Sequence, residues 1–155
     1  MIVLLDNQRD AYWGDIQAVP FAADIEKARE KGIPILIFEH NPISTQNPNE
    51  TAATWFFEPG DLSGIPCDMT KSFAGSPAHG YADTMKVYNL IVRNSDVIKG
   101  VFCGHWHNHM YTEILAQNED GSFKTDENGN YVVIPQHTVT ANAYGSGNAI
   151  KITIK

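Results

Sequence analysis

Ile33-Pro-Ile-Leu-Ile-Phe-Glu-His-Asn-Pro42 decides the fold. Its first six residues are a continuous β-branched and aromatic run, bounded on one side by Gly32 and on the other by Asn41-Pro42. Such a run suits a strand covered on both faces, as in a parallel or mixed sheet. The same reading applies to Val97–Cys103, an apolar run closed by Gly104. Ahead of the first run lies a helical segment in which Phe21, Ile25 and Ala28 share one face, with Pro20 expected in the first turn and Gly32 at the C-cap. Ahead of the second run, Tyr81 to Asn94 is predicted to form a helix whose stripe, Tyr81, Met85, Tyr88 and Val92, packs the core. Met1-Ile-Val-Leu-Leu-Asp6 reads as a further buried strand.

Met110–Ala116, Tyr131–Thr138 and Ala149–Ile154 alternate and are expected as antiparallel strands, with Asp120-Gly121 and Asn128-Gly129-Asn130 turning the chain between the first two. The expectation is an α/β fold, a mixed sheet with antiparallel C-terminal hairpins, in one domain spanning 1–155. Residues 41–80 hold five of the eight prolines and are expected as a long loop or insertion.

The 155 residues are 43% apolar and carry a formal charge of −7 with only three arginines, which argues against binding a nucleic-acid backbone. No apolar run approaches the length of a membrane span. No signal peptide precedes the first strand, which favours the cytoplasm where the sequence otherwise leaves the compartment open. Cys67 and Cys103 are expected as free thiols, the second buried.

The histidines carry the chemistry. His40 follows one apolar strand, and Gly104-His-Trp-His-Asn-His109 follows another. Ligands of open α/β sheets bind outside the carboxyl ends of the strands, so neighbouring strands would bring these imidazoles together. Imidazole binds zinc, iron, manganese and nickel, and a cluster of three in five positions with a fourth at another strand end favours a metal site over hydrogen-bonded surface histidines. His79 is expected at the surface and His137, in an alternating strand, as structural. Trp55-Phe56-Phe57 is expected to pack the long loop onto the sheet, with an aromatic wall over a leaving group as the alternative.

Phe38-Glu-His-Asn-Pro42 and Gly104-His-Trp-His107 resemble the last two motifs of the calcineurin-like metallophosphoesterases, a single His followed by Gly-His-x-His. The order of the surrounding elements extends the resemblance over most of the chain. It implies the C-terminal half of an α/β/β/α sandwich and a dinuclear centre that hydrolyses phosphomonoesters or phosphodiesters. By resemblance, His40 and His105 bind one divalent metal ion (Mn, Fe, Zn or Ni) and His107 the other. His109 lies outside the motif, with a supporting or surface role as the alternative to ligation. The family's Asp-x-His, Gly-Asp-x-x-Asp and Gly-Asn-His-Asp/Glu motifs are missing; Gly60-Asp-Leu-Ser-Gly64 follows His40 and so stands in the wrong order.

The expectation is therefore a truncated phosphoesterase with an incomplete metal site, inactive alone, which hydrolyses its substrate only if the missing ligands come from a further copy of the chain or from a missing N-terminal half. The alternatives are a non-catalytic metal-binding or protein-interaction module. An exposed half-sandwich is also expected to self-associate into a dimer or higher oligomer.

Overall fold

In a computed structural model, which describes residues 1–7, 13, 15–43, 81–104, 109–139 and 151–153, the chain forms a five-stranded sheet with two helices. The elements are β1 (Ile2–Leu4), α1 (Asp15–Lys31), β2 (Ile35–Phe38), α2 (Tyr81–Arg93), β3 (Ile98–Cys103), β4 (Met110–Leu115) and β5 (Val133–Thr138). Their spatial order is β1-β2-β3-β5-β4. The first four in that order are parallel, and β4 runs antiparallel to β5. The α/β class expected from the sequence is the class observed.

The two crossovers, β1-α1-β2 and β2-α2-β3, step across the sheet in the same direction. Right-handed crossovers then place both helices on one face. The core agrees: Val3, Ile35, Ile37, Val101, Ile114 and Ile134 of the sheet form one cluster with Phe21, Ile25 and Ala28 of α1 and Val87, Tyr88, Ile91 and Val92 of α2. The α1 stripe therefore faces the sheet, as do Tyr88 and Val92 of the α2 stripe with Met85 packed against the same cluster, while the side chain of Tyr81 lies outside the described residues. A glycine with φ of 61° ends α1, and two hydrogen bonds close it, Gly32 N to Arg29 O (3.1 Å) and Ile33 N to Ala28 O (3.0 Å). This left-handed cap satisfies carbonyls that the last helical turn would otherwise leave open.

The opposite face carries a row in register across all five strands: Leu4, Phe38, Phe102, His137 and Tyr111. Phe38 and Phe102 stack with centroids 5.0 Å apart, Phe102 and His137 at 5.4 Å, and Tyr111 tilts against His137 at 5.2 Å. His137 thus packs within the sheet, the structural role expected of it. Alongside, Gly100 stands opposite Leu36, and a Cβ there would press to 3.2 Å from the Phe102 ring.

Four expectations are corrected. β1 is not buried on both faces: it is an edge strand, with Val3 inside and Ile2 and Leu4 67% and 78% exposed. Helix α1 starts at Asp15, so Pro20 stands in its second turn. Its missing N–H leaves the carbonyl four residues back to water, which is cheap where Ile16 and Val19 are themselves exposed. The strand Tyr131–Thr138 is antiparallel to only one neighbour, because β5 enters between β3 and β4 and runs parallel to β3. Of the expected strand Ala149–Ile154, the described residues 151–153 lie outside the sheet.

Between β4 and β5, the predicted turns are present. Gly121 and Gly129 have φ of 84° and 82°, and the Asp126 carboxylate accepts from the amides of Asn128 and Asn130. The proposed loop over 41–80 lies, from residue 44 onward, outside the described residues, as do His79, Cys67 and Trp55-Phe56-Phe57. No helix among the described residues is long and apolar enough to cross a membrane.

Candidate metal centre at the carboxyl ends of the strands

Three parallel strands end side by side, and the polar residues that follow them bond to one another. After β1 comes Asn7, fully buried. Its Nδ2 donates to Glu39 Oε2 (3.0 Å) and to the carbonyl of Asn41 (2.9 Å). Its Oδ1 accepts from the amides of His40 (3.1 Å) and Asn41 (2.8 Å). Asn41 answers by donating its Nδ2 to Asn7 O (2.6 Å). An Asn side chain has two donors and an acceptor with two lone pairs, and here every one is used.

The segment after β2 is held on its far side too. Gln136 of β5, 1% exposed, accepts from Ile43 N (2.7 Å) and donates to Ile43 O (2.9 Å) and to the Thr112 hydroxyl (2.9 Å). Between these two fastenings stands His40, exposed to solvent. Gly104 N donates to His40 O at 3.0 Å, and Glu39 N donates to Phe102 O at 3.0 Å. The amide and the carbonyl of His40 are thus both bonded, one to the end of β1 and the other to the end of β3. The bond from Gly104 joins the two sequence motifs at the backbone: the residue directly ahead of His105 touches His40.

Glu39 sits beneath. Its carboxylate oxygens are buried although the residue as a whole keeps some exposure; Oε2 takes bonds from Asn7 and from Trp13 Nε1 (3.0 Å), while Oε1 has no partner. Burial pushes this carboxyl well above its ordinary value of 4.5, and the Trp13 indole N–H opposes the shift only in part. Cys103 is buried at the end of β3, with its thiol against Thr138 Oγ1 (3.4 Å). Burial drives its pKa far upward, so in the metal-free protein it stays a thiol. His109 is exposed just before β4. His137 titrates below its usual 6.5, first because it is partly desolvated and second because His109 adds positive charge nearby.

Of the three residues expected as ligands, His40 is described and stands at a strand end, whereas His105 and His107 lie outside the described residues. Among the described residues, no group of three His, Cys, Asp or Glu side chains lies close enough to hold a metal ion. Among the described residues the donor chemistry supplies one candidate ion ligand, the exposed residue His40, on a backbone bonded at both its amide and its carbonyl. Asn7, Trp13, Glu39 and Gln136 were not singled out by the sequence. Their signal was faint: polar side chains immediately after, or inside, apolar strands. Comparison of the chain with models of protein families and with curated proteins finds no match.

Proposed function

We propose that this chain is the carboxyl-terminal half of a calcineurin-like metallophosphoesterase fold, that His40, His105 and His107 hold divalent metal, and that hydrolysis of a phosphomonoester or phosphodiester requires ligands that these 155 residues do not supply. The observation that supports this reading is the hydrogen bond from Gly104 N to His40 O, which sets the Phe-Glu-His-Asn-Pro segment against the start of Gly-His-Trp-His. A divalent ion there supplies a Lewis acid for a phosphoryl oxygen and a more acidic bound water. The chain's own part is to present imidazoles: His40 from the bend after β2, and His105 and His107 from the segment that Gly104 opens. No Asp-x-His and no correctly ordered bridging carboxylate is present in the sequence, so the chain alone is expected to bind metal without turnover.

Elemental analysis of the full chain, purified without a histidine tag or chelator, tests this. One Mn, Fe, Zn or Ni per chain or less, lost in His40→Ala and His105→Ala, is the expected result. Metal content unaffected by both substitutions, or none after supplementation, removes the reading.

A second reading, an interaction module, is favoured by the sheet face opposite the helices. Ile2 and Leu4 are 67% and 78% exposed there, and they continue a row of aromatic rings. Isolated exposed aliphatics are ordinary, but an in-register apolar row across a sheet is the kind of surface that another sheet covers. The partner would be a second copy of this chain or the missing half. Light scattering after size exclusion tests self-association, and a monomer at high concentration excludes the second copy.

A further inference from the structure

We infer that Asn7 is the positioning residue of this centre: its side-chain oxygen sets the backbone bend that presents the His40 imidazole. The inference rests on the metal-binding reading above and deepens it. Successive amides of an extended strand point to opposite edges, so two consecutive N–H groups cannot reach one acceptor while the strand continues. Yet His40 N and Asn41 N both donate to Asn7 Oδ1, at 3.1 and 2.8 Å. Converging on one oxygen, they end β2 at Phe38 and turn His40 out of the strand's alternation. The donors of the same amide lock the turn from below through Glu39 Oε2 and Asn41 O.

Only Asn meets these demands at this reach. Asp has the acceptor but no donor for Asn41 O; Ser is short of both; Gln carries both one methylene too far. Because Asn7 is fully buried and bonded at every polar atom, it touches no ligand itself and acts only through His40. Groups that orient a metal-binding His through its ring N–H alter metal affinity about 10–100-fold when replaced, and Asn7, which orients His40 through the backbone, is expected to act on the same scale.

Zn²⁺ is the probe, added to the full chain and titrated against a chromophoric chelator, with folding checked by circular dichroism. Asn7→Ser is expected to remain folded and bind Zn²⁺ roughly 10–100-fold more weakly than wild type. Asn7→Gln carries the same expectation should Asn7→Ser fail to fold. Ile91→Ala, a core truncation in α2 outside the hydrogen-bond network of the bend, loses stability but keeps its Zn²⁺ affinity. The inference is overturned if Asn7→Ser or Asn7→Gln binds as wild type while His40→Ala is weakened, or if Ile91→Ala weakens binding equally. If His40→Ala itself binds Zn²⁺ as wild type does, the metal reading falls and this inference with it.

Discussion

Gln136→Leu gives the sharpest test of how the sheet is held together. Gln136 lies 1% exposed on the helix-facing side of β5, among Ile114, Ile134 and Val101. Leucine has similar volume and no polar atoms, so packing is nearly conserved and the change isolates hydrogen bonding. It strands three groups: the amide and carbonyl of Ile43 and the hydroxyl of Thr112, residues 2% and 3% exposed. A buried polar group left without a partner costs about 1–3 kcal/mol, so three cost roughly 3–9 kcal/mol, and relaxation around the stranded groups keeps the sum in the lower half of that range. Gains from burying leucine's methyl groups bring the expected loss to about 3–4 kcal/mol. With a urea slope of about 2 kcal/mol/M, the midpoint of equilibrium unfolding falls by roughly 1.5–2 M at unchanged slope. Thr112→Val removes one of the stranded groups, so the double variant is expected to be about 1 kcal/mol more stable than the sum of the two single losses. A loss below about 1 kcal/mol, or strict additivity with Thr112→Val, would refute the reasoning.

Three further outcomes follow from features already described. Glu39 is an acid whose folded pKa is raised, so its contribution is fully favourable below its ordinary value of 4.5 and is lost as pH climbs through the folded value. In metal-free protein, Glu39→Gln should therefore gain on wild type from pH 4.5 upward; unfolding midpoints that stay parallel across that window disprove it. Cys103, 3% exposed and held as a thiol, should react with iodoacetamide far more slowly in native protein than in urea, read by mass spectrometry of its peptide, and equal rates would contradict its burial. Leu4→Glu places a charge in the apolar row of the open face, so the self-association expected of the wild type should be lost in light scattering; an unchanged mass rules that face out as the contact.

The elements most legible in the sequence are those whose pattern is local. Ile35–Phe38 and Ile98–Cys103 are contiguous β-branched runs, and the Phe21, Ile25, Ala28 stripe with Gly32 behind it defines a helix and its end without help from the rest of the chain. What depends on distant partners was hidden. An alternating strand looks the same whether its neighbours run parallel or antiparallel, so nothing in Val133–Thr138 announces that it enters between β3 and β4. Nor does Ile2-Val-Leu4 announce that only one of its faces is covered, since that follows from both crossovers stepping the same way. At the site, His40 and Gly104 were legible as strand ends, and because β2 pairs with β3 the two ends adjoin. Asn7 was not, because its partners lie 32–34 residues away and its two-residue grip on the backbone exists only after the strands align.

The position of β5 has a consequence for the order of events during synthesis. When residues up to Leu115 have emerged, β1, β2 and β3 can already assemble with their helices, but among the described residues β4 has no strand to pair with except β5. The open edge of β3 then waits through the two-turn connection until Val133–Thr138 arrives to fill it. A parallel pairing over that separation closes late, since the intervening chain must lose its freedom first. For that interval the nascent chain displays an unpaired β3 edge beside Phe102, the condition under which strands of neighbouring chains pair wrongly. The same strand that completes the sheet is thus the one whose delay leaves it vulnerable.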